Sequence, residues 1–158
     1  MIDPETLDRL WAAWADRLLL YARSLGCDAE DAVQDAFVKL ASQRCVPENP
    51  MAWLVRVVRN EVYSGRRRRA VAERHAETFA RSRKWFDGCE AGRCGDAIEL
   101  QQSLAGLPEE LRESVVLRLW GGLSFEEIGG LIATSSSTAH RRYQDALKSL
   151  KAQLEGDT

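Results

Sequence analysis

The chain has 158 residues, room for one domain or two small ones, and a 45% hydrophobic share that allows packed cores and excludes a disordered tail. Its formal charge of -2 conceals a basic centre: residues 52–85 carry ten basic and three acidic side chains, net +7, between net -4 over 1–51 and net -5 over 86–158. No apolar run reaches the roughly eighteen residues of a membrane span, and the N-terminus is acidic where a signal peptide is basic, so a soluble cytoplasmic protein with no membrane contact of its own is expected.

Taken in order, Asp3-Pro4 is a helix start, and Leu7, Leu10, Trp11, Trp14, Leu18, Tyr21 and Leu25 recur at helical spacing up to Gly26. The period places both tryptophans in the core. Asp28 is expected to cap a second helix with Ala32, Val33, Ala36, Phe37 and Leu40 as its buried stripe. Its outer face carries Glu30, Asp31, Gln34 and Asp35, which reads either as a solvated acidic face or as a docking surface. A loop with Pro47 follows.

Asn49 and Pro50 then open a third helix. Trp53, Leu54, Val57, Val58 and Val62 fall on one side of it, and Arg56, Arg59, Asn60, Tyr63 and Arg67 on the other, ahead of the run Arg66, Arg67, Arg68, Arg69. Arginines with an amide and a ring suit phosphates and exposed bases better than a merely solvated face does. From Val71 to about Ser103 the periodicity fades, and DGCEAGRCGD packs three glycines and two cysteines into ten residues, so a linker is expected, with a helical start over 71–85. Cys89 and Cys94, with His75 upstream, are either incidental thiols or a redox or metal pair. Their spacing lacks a fourth ligand, so no metal site and no cofactor are expected.

A second compact unit follows. Pro108 starts a helix with Leu111, Val115, Val116 and Leu119 on one face, which Gly121 and Gly122 end. Ser124 caps a short helix, Ala133 and Thr134 make a turn, and Ser135 caps a longer one. That is helix-turn-helix order, in which the last helix can lie in a major groove.

Two blocks carry a family resemblance. DAEDAVQDAFVKL, a proline-containing loop and AWLVRVVRNEVYSGRRRR resemble region two of the sigma-70 family, in its small extracytoplasmic-function (ECF) group, through Asp28, Ala29, Asp31, Gln34, Asp35, Phe37, Ala52, Trp53, Leu54, Arg56, Arg59 and Asn60. The stretch from LPEELRESVVLRLW through GGLSFEEIGG to SSSTAHRR is similar to region four of that family, through Leu107, Pro108, Arg112, Leu117, Arg118, Gly122, Leu123, Ser124, Glu127, Ile128, Ser135, Thr138 and Arg142. It departs at Ser64 and Gly65, at Gly129 and Gly130, where relatives carry an Ala-Glu type pair, and at Asp145, where a basic residue is common.

The resemblance implies an all-α protein of two small helical domains, 1–72 and 103–155, joined by a flexible linker, 73–102. It implies a promoter-specificity subunit of RNA polymerase rather than an enzyme. Asp31, Gln34 and Asp35 would dock on the beta-prime coiled coil of core polymerase, with the beta flap a further contact. The loop 43–49 with Arg56, Arg59, Asn60 and Tyr63 would hold the minus-ten element of promoter DNA, where a base leaves the stack, and Arg66 to Arg69 would anchor phosphates. Ser136, Ser137, Thr138, His140, Arg141 and Arg142 would face the minus-thirty-five element, His140 either at a base or at a phosphate. An anti-sigma factor is a further partner such a subunit can have. The alternative from a different class is a stand-alone dimeric helix-turn-helix regulator, and a third is a thiol or metal sensor. The sequence offers no constellation for hydrolytic or transferase chemistry.

Overall fold

The computed structural model describes residues 1–26, 29–69, 85 and 94–156. These form seven helices and no strand: α1 (Pro4–Ser24), α2 (Ala29–Ala41), α3 (Pro50–Arg69), α4 (Cys94–Ala105), α5 (Glu109–Leu119), α6 (Phe125–Leu131) and α7 (Ser136–Gly156). The protein is thus all-α, as its helical periodicities require.

Helices α1 to α3 form an N-terminal bundle. The Asp3 carboxylate accepts the Thr6 amide at 2.8 Å with Pro4 beginning α1, and Asn49 Oδ1 accepts the Ala52 amide at 3.1 Å ahead of Pro50 in α3. Each cap satisfies an amide that the first helical turn leaves free. Leu18, Val33, Leu40, Leu54 and Val58 are fully buried between the three helices. Trp11 departs from expectation: its ring meets Phe37 of α2 edge-on at 4.8 Å yet stays 42% exposed, since an edge-on contact with one ring shields less surface than a core position does.

The C-terminal unit is built on α4 to α7. Ser124 Oγ accepts the Glu127 amide at 3.1 Å and Glu127 Oε2 accepts the Ser124 amide at 2.8 Å, a reciprocal capping box that starts α6. Ala133 bends the chain with a φ of 55°, the Thr134 amide bonds the Gly129 carbonyl at 2.9 Å, and Ser135 Oγ caps α7 through the Thr138 amide at 3.1 Å. Gly122, at φ 66°, turns the chain after α5. Pro108 stands as the cap residue of α5, one place ahead of its expected first-turn position.

The helix α4 lies mostly inside the stretch expected to be linker. Leu100, Leu104 and Ala105 seat it against Trp85, Val115 and Ala146. The Asp28 cap, the helical start over 71–85 apart from Trp85, and the Cys89–Cys94 pair with His75 lie outside the described residues or side chains.

The two units pack on one another. Val116 and Leu117 of α5 and Ile128 of α6 belong to the same apolar cluster as the α1–α3 core, and Leu20 of α1 joins the second cluster beside Trp85. Trp85, fully buried, pins both: its carbonyl accepts Arg23 of α1 at 3.2 Å, its amide donates to Gln101 of α4 at 2.8 Å, and the Arg112 guanidinium lies 5.8 Å from its ring.

Candidate nucleic-acid interface

The polar side of α3 is divided into two edges. Arg56, Asn60, Arg67 and Arg68 are exposed. Arg59, Tyr63 and Arg66 are half-buried and turned toward α5. There Arg59 Nε donates to Glu113 Oε1 at 2.8 Å, the Tyr63 hydroxyl donates to Glu109 Oε1 at 2.7 Å, and Arg66 Nη1 donates to both Glu109 oxygens at 2.9 and 3.2 Å. Arg66 also reaches the Leu25 carbonyl. Both guanidinium groups lie over the Tyr63 ring, that of Arg59 at 4.5 Å and that of Arg66 at 5.2 Å from its centroid. The side chain of Arg69 lies outside the described residues.

Glu113 is the buried member of this cluster, 4% exposed, and it also accepts the hydroxyl of Tyr21 at 2.7 Å. A carboxylate at such a site is stable only when fully paired, since removing one partner of a buried pair costs about 3–5 kcal/mol. Titration reflects the same geometry. Burial, then the charge of Glu113, push the Tyr21 phenol well up from its ordinary value and raise that of Tyr63. Burial also works against the Glu109 carboxylate, but hydrogen bonds from Tyr63 and Arg66 outweigh it and hold that carboxyl below its ordinary value. At Arg59 burial, the largest single influence, is outweighed by the hydrogen bond to Glu113 and its charge taken together with the neighbouring tyrosines, so the value rises; at Arg112 burial prevails and lowers it. Arg112 Nη1 bonds the Ala105 carbonyl at 3.3 Å, while its Nε is buried with no partner among the described residues.

On α2, Asp31, Gln34 and Asp35 are all exposed on one side, with Val38 (64% exposed) following them. Glu30, exposed beside them as expected, pairs with Arg23 at 2.8 Å.

On α7, Ser136, Ser137, His140 and Arg141 are exposed at the N-terminal end. The His140 ring meets Phe125 edge-on at 4.8 Å and its Nε2 lies 3.4 Å from Gln144. Two expected residues are engaged within the protein: Thr138 shares a 3.0 Å hydrogen bond with Ser135 at the cap, and Arg142 pairs with Glu110 of α5 at 3.4 Å. Sequence reasoning missed Glu109, Glu113 and Trp85. The i, i+4 spacing of the two glutamates was the only trace of a shared face, and a lone tryptophan in a polar stretch was the trace of the pin.

A three-helix bundle with an arginine-bearing helix, followed by a helix-turn-helix, defines a two-unit DNA-binding class of protein. Two family models match in the corresponding places, Sigma-70 region 2 over residues 7–71 and Sigma-70, region 4 over residues 97–150. The chain is 30% identical to the ECF RNA polymerase sigma factor SigE of Mycolicibacterium smegmatis, an alignment covering 93% of this chain and 61% of that relative's length. Its fold matches the structure of CnrH in complex with the cytosolic domain of CnrY, with a TM-score of 0.69, 26% identity and coverage of 99% of this chain and 92% of that one. The chain belongs to the sigma-70 family, in its ECF group.

Proposed function

We propose that the protein is a sigma factor that binds core RNA polymerase and directs promoter-specific initiation from the cytoplasm. The observation that carries this is the separation of two chemistries on one bundle: an exposed acidic face on α2 at Asp31, Gln34 and Asp35, and an arginine-bearing face on α3. The acidic face suits a basic protein partner, the beta-prime coiled coil, with the beta flap left to the C-terminal unit. On α3, Arg56, Arg59, Asn60, Tyr63 and Arg66 to Arg69 would hold the opened minus-ten strand. Stacking on Tyr63 is worth about 1–3 kcal/mol per base. Ser136, Ser137, Thr138, His140, Arg141 and Arg142 on α7 would face the minus-thirty-five element, where a bidentate arginine contact to guanine is worth about 1–3 kcal/mol. Residues 1–72 and 103–155 would be the functional units. The likeness to CnrH, solved with the cytosolic domain of CnrY, makes a regulatory protein partner of that kind part of the proposal.

In vitro transcription with purified core polymerase on a genomic fragment library tests it. Start sites that appear only with this chain and share two spaced elements are expected. A chain that adds no start site above core polymerase alone contradicts it.

A further inference from the structure

The outward side of α7 differs from the set of residues expected on it. Thr138 is engaged with Ser135 at the cap and Arg142 with Glu110 of α5. Ala139 and Ala146, both fully buried, mark the inner side of the helix. Opposite them Ser137, Arg141 and Gln144 stand exposed at i, i+4 and i+7, the spacing of one helix face. At 1.5 Å per residue Gln144 lies about 10 Å beyond Ser137 along the axis, inside the roughly 12 Å width of a major groove. A helix laid in that groove would carry this amide to the base edges.

Gln144 is also oriented. Its Nε2 lies 3.4 Å from His140 Nε2, one turn earlier, and an amide nitrogen can only donate, so the ring nitrogen is the acceptor. The ring is set in turn by Phe125 of α6, which it meets edge-on at 4.8 Å and 81°, and the Arg118 guanidinium lies 4.7 Å over the Phe125 ring. One amide N–H thus goes to His140, while the other and Oε1 have no partner among the described residues. A free donor beside a free acceptor matches adenine, which shows the major groove an N6 donor next to an N7 acceptor, whereas guanine shows two acceptors. Asp145, exposed beside Gln144, repels a phosphate and so turns this stretch toward base edges rather than the backbone. From this geometry, and on the reading of α7 as the minus-thirty-five helix, we infer that Gln144 is a specificity-determining residue that reads an adenine of that element through Oε1 and its free N–H. His140 is its positioning residue.

The test uses the full chain bound to core polymerase and a double-stranded promoter library, built on a start site the chain supports and randomised across the upstream element, with the bound fragments sequenced. The wild-type complex should enrich adenine on one strand at one position. Gln144→Ala should cut that preference at least tenfold and leave the preferences at other positions within twofold. Gln144→Glu, which offers acceptors only, should replace adenine by cytosine at that position. Both changes fall on an exposed residue and should keep the wild-type melting profile. His140→Ala should lower the same preference at least threefold, and His140→Gln, which keeps an acceptor, should restore part of it, whereas a merely structural role would weaken every position alike. An adenine preference indifferent to Gln144→Ala overturns the inference alone. An even loss at all positions, in a variant whose helices persist by circular dichroism, also overturns it and makes Gln144 a backbone contact. A wild-type complex with no preference anywhere in the upstream element overturns the inference together with the reading of α7.

Discussion

Gly129 and Gly130 are neighbours with different surroundings. A Cβ on Gly129 would stand 2.8 Å from the Thr134 carbonyl oxygen and about as close to Ser135, where the turn of the helix-turn-helix folds back on α6, whereas a Cβ on Gly130 would meet nothing within 4 Å. Gly129→Ala should therefore push the turn away and destabilise the protein by about 1–3 kcal/mol, while Gly130→Ala should be neutral or stabilising by up to about 1 kcal/mol. Urea unfolding of the two variants beside the wild type checks this. The glycine pair that departs from the family pattern is thus half a packing requirement and half an open position. Titration gives a second expectation at this scale. Glu109 has a depressed value when folded, so its contribution is present above the ordinary carboxyl value near 4.5 and is lost as pH falls through the lower folded value. Tyr21 and Tyr63 have raised values, so theirs is complete below about 10 and is lost as pH rises beyond it. The melting temperature should be flat between these limits and fall on both sides. Glu109→Gln should flatten part of the acid limb and Tyr63→Phe part of the alkaline one.

At the scale of elements, α6 is only seven residues long and depends on its start. Ser124→Ala removes one half of the capping box and should cost about 1 kcal/mol, read as a lower midpoint in chemical unfolding. Such starts are legible in sequence because they are local: Asn49, Ser124 and Ser135 all cap the helices they precede. The buried stripes of α2 and α3 are legible for the same reason, since periodicity needs only one segment. What escaped depends on pairing between segments. Trp11 carries the right spacing for burial, but its exposure is decided by how Phe37 of α2 meets its ring. The apolar residues of α4 are too sparse to mark a helix until Trp85 and Ala146 supply the surface they pack on. The expected site shows the same division. Asp31, Gln34, Asp35, Arg56 and Asn60 stand exposed where the period puts them, whereas the partners of Arg59 and Tyr63 lie 54 and 46 residues away in sequence, where no local pattern announces them.

For the whole molecule, the charge segregation seen in the sequence becomes a spatial arrangement. The described part of the basic centre lies along α3, acidic residues of α5 close over one edge of it, and the acidic side of α2 is left outward. One bundle therefore presents an exposed acidic surface and a partly covered basic one, with a helix-turn-helix attached through a shared core. Titration of the labelled chain into bare core polymerase at modest salt tests this arrangement most directly. The account predicts a one-to-one complex, weakened at least tenfold by Asp31→Arg with Asp35→Arg in a variant that keeps the wild-type melting profile. Absence of a complex, or one indifferent to that reversal while the free chain binds a palindromic duplex as a dimer, would contradict it.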